Sequence, residues 1–232
     1  MWCEVFIRLF LAHTVGDFIC QTDEFCRKKQ TNGVWGLHLY LHSLVILVLS
    51  WIALWSFSSW WLALIIGVTH LLIDATKRSD NLWSFLLDQV VHVICLAIVA
   101  YIAALKIPYL SCDCGVIDSV CIYTLAFVLN GKPANILIKH LLRAYSVKDP
   151  RESDKSDECI RSGKLIGNLE RWLIMIFMLC EQYEAIGFLI AAKSIIRYKD
   201  GDTSRTEYVL AGTLISVFIA VVSGLMLDKF GY

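Results

Sequence analysis

Long apolar runs recur along the whole chain, and they constrain its fold more than any other feature. We place about eight membrane segments at residues 3–20, 36–57, 60–77, 82–106, 116–130, 165–180, 184–198 and 207–227. Several are shorter than the ~20 residues that an α-helix needs to cross a bilayer. A membrane-spanning chain must satisfy its own backbone hydrogen bonds, which leaves helices or closed barrels. The runs therefore predict an all-α, polytopic transmembrane bundle.

Composition supports this fold class and argues against others. Hydrophobic residues make up 57% of the chain and the mean hydropathy is +0.62, which is too apolar for an ordinary soluble domain. The formal net charge is +0, so no basic surface suggests a nucleic-acid partner. Arg8, His13 and Asp17 interrupt the first run, and no small-residue cleavage site follows it. We therefore expect a first transmembrane helix and not a removable signal peptide.

Basic residues are concentrated in alternate loops. They lie at 27–29, at 77–78 and within 132–164, whereas the loops at 56–59 and 108–115 have none. Lysine and arginine favour cytoplasmic loops. We therefore expect a multi-pass protein of the plasma membrane, in contact with lipid, with both termini outside.

Five of the six histidines lie four residues from another histidine or from an aspartate. The pairs are His13/Asp17, His38/His42, His70/Asp74 and Asp88/His92. Side chains four residues apart share one face of a helix, with Cβ atoms about 5–6 Å apart, so each pair can offer two ligands to a metal ion. Ionisable residues at membrane depth are costly and usually mark a functional site.

All four pairs are predicted at a similar depth. The first and third segments end with a pair at the cytoplasmic side, and the second and fourth segments begin with one. Residues 11–17 also resemble residues 68–74, which indicates a weak internal repeat. We therefore expect the first four segments to form two His/Asp-bearing helical hairpins whose ligands converge.

The predicted ligand set indicates a particular metal chemistry. Five imidazoles and three carboxylates favour Zn²⁺, with Mn²⁺ or Fe²⁺ as alternatives. Eight ligands exceed the four of a typical zinc site, so we expect two divalent ions with open coordination positions. Asp17, Asp74 and Asp88 would be catalytic through a metal-bound hydroxide, because a two-metal site generates this nucleophile. Gln21 and Gln89 would hold the ligands in place by hydrogen bonds.

Charge suggests the substrate. Two divalent ions carry four positive charges against three from the aspartates, and the excess would attract an anion such as a phosphate ester. Four basic residues predicted at the same membrane face would hold this small-molecule or lipid substrate: Lys77, Arg171, Lys193 and Arg197. Snorkelling or a topological role is the simpler explanation for them. The favoured function is hydrolysis of a phosphorylated or lipid-like substrate at the cytoplasmic face.

Other functions stay open at this stage. A metal or proton transporter would have broken helices and ligands at the midplane. A non-enzymatic scaffold, in which metals staple four helices together, would have saturated ligand shells. Haem needs axial histidines but no aspartate one turn away. Simple interhelical hydrogen bonding would explain one pair better than four.

The polar connections suggest a division of the chain. We expect a four-helix metal-binding unit at 1–107, a fifth membrane segment at 108–130, a cytoplasmic interfacial helix with a charged linker at 131–163, and a three-segment membrane unit at 164–232. Pro133 suits the first turn of the interfacial helix. His140, the sixth histidine, is interpreted as an ordinary interfacial side chain.

Several motifs resemble those of a family of prokaryotic membrane proteins, domain-of-unknown-function family 3307. They are H-T-V-G-D-F at 13–18 with Gln21, H-L-Y-L-H at 38–42, T-H-L-L-I-D-A-T-K at 69–77 and L-L-D-Q-V-V-H at 86–92, with the later stretches 167–171 and 181–194. The resemblance implies an inner-membrane protein of a bacterium or archaeon and no established activity. The H-x-x-x-D pairs are also similar to those of YdjM-type membrane-bound metal-dependent hydrolases, which favours hydrolysis.

Overall fold

The computed structural model describes residues 2–21, 36–77, 81–107, 115–145, 147, 157–197 and 203–230. The described residues are helical apart from short turns, which confirms the all-α prediction. The helices are α1 (Trp2–Thr14), α2 (Leu37–Ala53), α3 (Trp60–Thr76), α4 (Leu82–Lys106), α5 (Gly115–Leu129), α6 (Lys132–Ala144), α7 (Asp157–Leu179), α8 (Tyr183–Arg197) and α9 (Thr203–Phe230). The chain divides into two compact units, residues 1–125 and 126–232.

Several helices have the length and composition of membrane spans. In the described part of the chain, Phe57–Thr76, Leu82–Lys106, Ile117–Ala144 and Glu207–Lys229 are long and apolar enough to cross a bilayer, and Leu37–Ala53 is apolar but shorter. Many large apolar side chains on these helices are exposed, among them Leu44, Ile94 and Phe218. Such a surface suits lipid and would be costly in water. The fold is therefore that of a membrane protein.

In the first unit, α1 to α4 pack in a ring. Contacts join α1 to α2, α2 to α3, α3 to α4 and α4 back to α1. Apolar side chains from all four helices fill one end of the ring, including Leu9, Ile46, Leu62 and Ala100, each of them fully buried. The predicted ligands occupy the other end, where α1 and α3 finish and where α2 and α4 begin. Neighbouring helices therefore run in opposite directions.

Small residues let the helices of this ring approach closely. A Cβ atom added to Gly67 of α3 would lie 2.9 Å from the Cβ of Leu47 in α2, and one added to Gly16 would clash with Ile46 Cδ1. Glycine is enriched where membrane helices meet, because it brings the backbones together. The close contact places the ligand-bearing ends of α1, α2 and α3 side by side.

The end of α1 departs from regular α-helix. Val15–Cys20, which includes Asp17, forms a π-helical turn directly after α1. Such turns are rare and frequently lie at functional sites. The sequence did not predict this turn, which changes the direction of the Asp17 carboxylate relative to a continuous α-helix.

In the second unit, α7 packs against α6, α8 and α9. Its apolar core includes Ile174, Met178, Ile186 and Ala220. Pro133 lies in the first turn of α6, as predicted. Helix α7 begins at Asp157, so its first turns replace part of the predicted charged linker, while residues 148–156 lie outside the described residues. His140 is buried within this unit and not at an exposed position.

Candidate metal centre

Four helices each deliver predicted ligands to one end of the first unit. His13 ends α1, Asp17 lies in the π-helical turn, and His42 lies in the first half of α2. His70 and Asp74 lie in the last turns of α3, and Asp88 and His92 lie in the first turns of α4. All seven side chains are at most 10% exposed. The structure therefore brings together seven of the eight predicted ligands.

Asp17 links three of the histidines. Its Oδ1 atom lies 3.0 Å from both His42 Nε2 and His70 Nε2, each of which can donate a hydrogen bond. Its Oδ2 atom lies 3.7 Å from His13 Nε2. These bonds join the π-helical turn to α2 and α3, although sequence spacing pairs Asp17 only with His13 on its own helix.

Asp74 has a similar central position. Its Oδ2 atom lies 3.4 Å from His70 Nδ1 and 3.6 Å from His42 Nε2. Its Oδ1 atom lies 3.7 Å from His92 Nε2, and the same nitrogen lies 3.8 Å from Asp88 Oδ1. Most of these separations are too long for good hydrogen bonds. A metal ion between nitrogen and oxygen would give separations of this order, since metal–ligand distances are about 2 Å.

The imidazole rings are themselves in contact. His70 and His92 stack with ring centroids 4.1 Å apart. His13 lies 5.0 Å from His92 and 5.3 Å from His70 between ring centroids, and His42 lies 5.0 Å from His70. Four rings this close could not all be protonated without strong repulsion at short range. Neutral imidazole is the form that binds metals.

Three groups of these residues have ligand atoms close enough to share an ion. Asp17, His42 and His70 form what we name site A, and Asp74, Asp88 and His92 form site B. His13, His70 and His92 form the third, which we name the tri-histidine group. Within each group, the ligand atoms lie within 4.8 Å of one another. Sites A and B have no residue in common, whereas the tri-histidine group shares one histidine with each.

Several ring nitrogens at this centre make no hydrogen bond. Within the described part of the chain, His13 Nδ1, His13 Nε2, His70 Nδ1 and His92 Nε2 are buried without a hydrogen-bond partner. A buried polar atom left in this state costs about 1–3 kcal/mol. Four such atoms in one cluster therefore indicate a site that fits an additional ligand, and unsatisfied imidazole nitrogens have the donor chemistry of a metal site.

A small cavity lies beside the same histidines. It has a volume of about 10 Å³ and is lined by the tri-histidine group together with Ile66, Thr69, Cys95 and Leu96. This is about the space of one water molecule. Sequence reasoning missed Thr69 and Cys95. Thr69 directly precedes His70, and Cys95 lies three residues after His92 on the same helix face. This closeness in sequence to two predicted ligands is the signal that could have identified them.

His38 lies outside the three groups, although it was predicted as a ligand. It is half-buried in the first turn of α2. His38 and His42 share a face of this helix, but one turn separates them by about 6 Å along its axis. The predicted ligands of the other helices lie level with His42. His38 lies one turn nearer the start of α2, outside this cluster.

Asp88 is held by two neighbours. Gln89, which was predicted to support the ligands, donates from Nε2 to Asp88 Oδ2 at 3.3 Å. Lys77, which was predicted to bind substrate, places its Nζ atom 2.8 Å from the same oxygen and lies over the ring of Phe85. Asp88 Oδ1 remains directed towards His92. Gln21 is buried after the π-helical turn.

The other predicted substrate-binding residues lie in the second unit. Arg171 is buried, and its guanidinium donates to the Asn130 and Gly131 carbonyls, to Asn135 and Asn168 Oδ1, and to Ser216 Oγ. These bonds hold α7 to the α5–α6 turn and to α9, and the role of Arg171 in substrate binding stays a prediction. Lys193 pairs with Glu170. The side chain of Arg197 lies outside the described residues.

A comparison with protein-family models gives a match over the amino-terminal half of the chain. Residues 5–119 match the model of a family described as protein of unknown function (DUF3307). This range contains every predicted metal ligand. No curated protein and no solved structure matches the chain.

Proposed function

We propose that this chain, whose amino-terminal half belongs to the DUF3307 family, holds two divalent metal ions within the membrane and uses them to hydrolyse a phosphorylated or lipid-like substrate. One ion would occupy site A and the other site B. The observation that carries the proposal is that the two sites share no residue, so both can be filled at once. His70 of site A stacks on His92 of site B, so the two ions would be neighbours.

Ligand number and type support metal-dependent catalysis. Each site offers three protein ligands, the number found in catalytic zinc sites, where substrate or water takes the remaining position. Site A combines two imidazoles with one carboxylate, and site B combines one imidazole with two carboxylates. Such mixed sets suit Zn²⁺, with Mn²⁺ or Fe²⁺ as alternatives. A bound ion of this kind would polarise a phosphoryl oxygen and activate water.

Charge favours an anionic substrate. Asp17, Asp74 and Asp88 contribute three negative charges, and two divalent ions contribute four positive charges. Lys77 lies against Asp88 and adds one more. The loaded centre would therefore carry excess positive charge in a buried environment, where charge interactions are strong. A phosphate group is the class of ligand that this excess favours.

Basic residues suggest the orientation. Lysine and arginine follow the ends of α1 and α3, the same end at which the ligands lie. By the positive-inside rule, this end of the unit would face the cytoplasm of a prokaryotic cell, with the bundle in its plasma membrane.

Purified, metal-loaded protein should hydrolyse a member of a panel of phosphoesters and phospholipids. Chelator should abolish the turnover. Asp74→Asn should reduce it by orders of magnitude, because the charge that holds the ions is removed while the side-chain shape is kept. Asp228→Asn is the matched control, since Asp228 lies exposed near the end of α9, outside the metal groups.

The predicted ligands come from four helices and are buried. This favours a second candidate function, a scaffold in which the ions hold the helices together. Its signature would be tight binding of two ions and metal-dependent unfolding, without turnover of any phosphoester or phospholipid in the panel. That result would exclude hydrolysis of these substrates and support the scaffold. Failure to bind metal would contradict both candidates.

A further inference from the structure

We propose that the first ion to bind does not enter site A or site B but the tri-histidine group, and that a second ion redistributes the pair into sites A and B. This inference deepens the proposed function and rests on it. The tri-histidine group uses His70 and His92, which sites A and B also need. Loading with one ion and loading with two are therefore alternative arrangements of the same ligands.

The unsatisfied nitrogens lie in this group. His13 has neither ring nitrogen hydrogen-bonded, His92 lacks a partner at Nε2 and His70 lacks one at Nδ1. His13 is 1% exposed, and His70 and His92 are each 2% exposed, so bulk solvent does not reach these side chains. An ion here would satisfy one nitrogen of each ring without breaking any existing hydrogen bond.

Sites A and B lack this advantage. Asp17 Oδ1 already accepts from His42 and His70, and Asp88 Oδ2 accepts from Lys77 and Gln89. An ion entering site A must displace the bonds between its own ligands, and an ion entering site B must compete with the positive charge of Lys77. A single ion therefore gains more from the tri-histidine group.

The surroundings of the tri-histidine group also suit an ion. His70 Nε2 donates to Asp17 at 3.0 Å, which leaves Nδ1 for the metal. Histidine ligands usually donate their other nitrogen to a carboxylate in this way, which fixes the ring and raises its basicity. Asp17 lies 3.7 Å from His13 Nε2, and Asp74 lies 3.7 Å from His92 Nε2. Both carboxylates would offset the charge of the ion.

Neutral ligands and the adjacent cavity define the ion that this position would take. Three imidazoles without a carboxylate suit Zn²⁺ or another borderline transition-metal ion and disfavour Mg²⁺ and Ca²⁺. The cavity beside the rings, lined also by Thr69 and Cys95, has room for one water molecule as a fourth ligand. Three histidines plus water is a coordination that catalytic zinc sites use.

The ligand assignments allow a direct test by substitution. His13 belongs to the tri-histidine group alone, and His42 belongs to site A alone. Full-length protein in detergent, stripped of metal, would be titrated with Zn²⁺ by equilibrium dialysis and with Co²⁺ by visible absorption. The variants are His13→Ala and His42→Ala, each with its fold checked by circular dichroism and gel filtration.

We expect His13→Ala to weaken binding of the first ion by about 100-fold or more, since loss of even a supporting residue costs 10–100-fold. His42→Ala should keep the first ion with near wild-type affinity and lose the second. The opposite pattern, in which His42→Ala loses the first ion and His13→Ala keeps it, would overturn the inference while leaving the two-ion proposal intact. Absence of binding in the wild type would overturn the proposed function itself.

A measurement on the unaltered protein covers the case in which a variant does not fold. X-ray absorption at one equivalent of Zn²⁺ should show three imidazoles and one further light atom. At two equivalents, the average number of imidazoles per ion should fall as carboxylates enter. A first equivalent with two carboxylates and one imidazole, the ligands of site B, would contradict the loading order.

Discussion

Two sets of buried nitrogens, one in each unit of the molecule, differ in how far their hydrogen bonds are satisfied. In the second unit, all of the Arg171 nitrogens donate hydrogen bonds to oxygens of the same unit. In the first unit, His13 and His92 are equally buried and leave ring nitrogens without a partner. A satisfied buried group has a structural role, because its bonds hold helices together. A cluster of unsatisfied groups of one donor type indicates a ligand that the chain itself does not supply.

The largest effect should come from His70, which belongs to both site A and the tri-histidine group. With free Zn²⁺ at 1,000 times the dissociation constant, we expect the metal to stabilise the wild type by about 4 kcal/mol. His70→Ala should lose most of this stabilisation, because only site B keeps all of its ligands, as measured by thermal unfolding with and without Zn²⁺. His140→Ala is the matched control, since it removes a buried histidine outside the metal groups. An unchanged metal shift in His70→Ala would contradict the interpretation of the unsatisfied nitrogens.

The hydrogen bonds of Arg171 in the second unit lead to the next prediction. Arg171→Met should lower the free energy of unfolding by about 3 kcal/mol, because it leaves buried oxygens of three elements unsatisfied. The metal-induced stabilisation should remain. Arg143→Met, at an exposed site near the end of α6, should change stability by less than about 0.5 kcal/mol. A stable Arg171 variant with weakened metal binding would reverse our assignment of roles.

Helix spacing in the first unit depends on a glycine at the contact between α2 and α3. Gly67→Ala should destabilise by about 1–2 kcal/mol, because its Cβ would clash with the Cβ of Leu47 and push α2 away from α3. Gly187→Ala is a control of opposite sign, since nothing lies within 4 Å of an added Cβ and alanine favours helix α8. Equal effects of the two substitutions in chemical unfolding would contradict the close approach of α2 and α3.

The smallest change in free energy is expected for a substitution of Lys77. Lys77→Met should tighten binding of the second ion about tenfold, or about 1.4 kcal/mol, because it removes a positive charge from Asp88. Lys106→Met, at the far end of α4, is the control. Weaker binding in Lys77→Met, measured by Zn²⁺ dialysis, would mean that Lys77 positions Asp88 and does not compete with the ion.

Sequence alone predicted an all-α membrane fold and most of the residues that converge at the candidate metal centre, because both follow from periodicity. The bounds of α4 agree with the predicted segment to the residue, and its pair Asp88/His92 faces the centre as expected. A four-residue spacing shows that two side chains share a helix face. It does not show which turn of that helix lies level with the ligands of the neighbouring helices. His38 therefore satisfied the pattern and yet lies one turn away from the centre.

Partners across helices could not be predicted from spacing. A basic residue near a helix end can snorkel, bind an anion or pair with a neighbouring carboxylate, and the three choices leave the same sequence pattern. Lys77 and Lys193 both pair with carboxylates of other helices. The π-helical turn around Asp17 packs against α2, and such a contact between elements is not specified by local sequence.

Elemental analysis of the purified chain tests the central claim most directly. Protein isolated in detergent, saturated with Zn²⁺ and then dialysed against metal-free buffer should retain about two ions per chain by mass spectrometry. Asp17→Asn and Asp88→Asn should each retain fewer, because one alters site A and the other site B. A wild-type chain that retains no stoichiometric metal, or aspartate variants with unchanged metal content, would contradict the account.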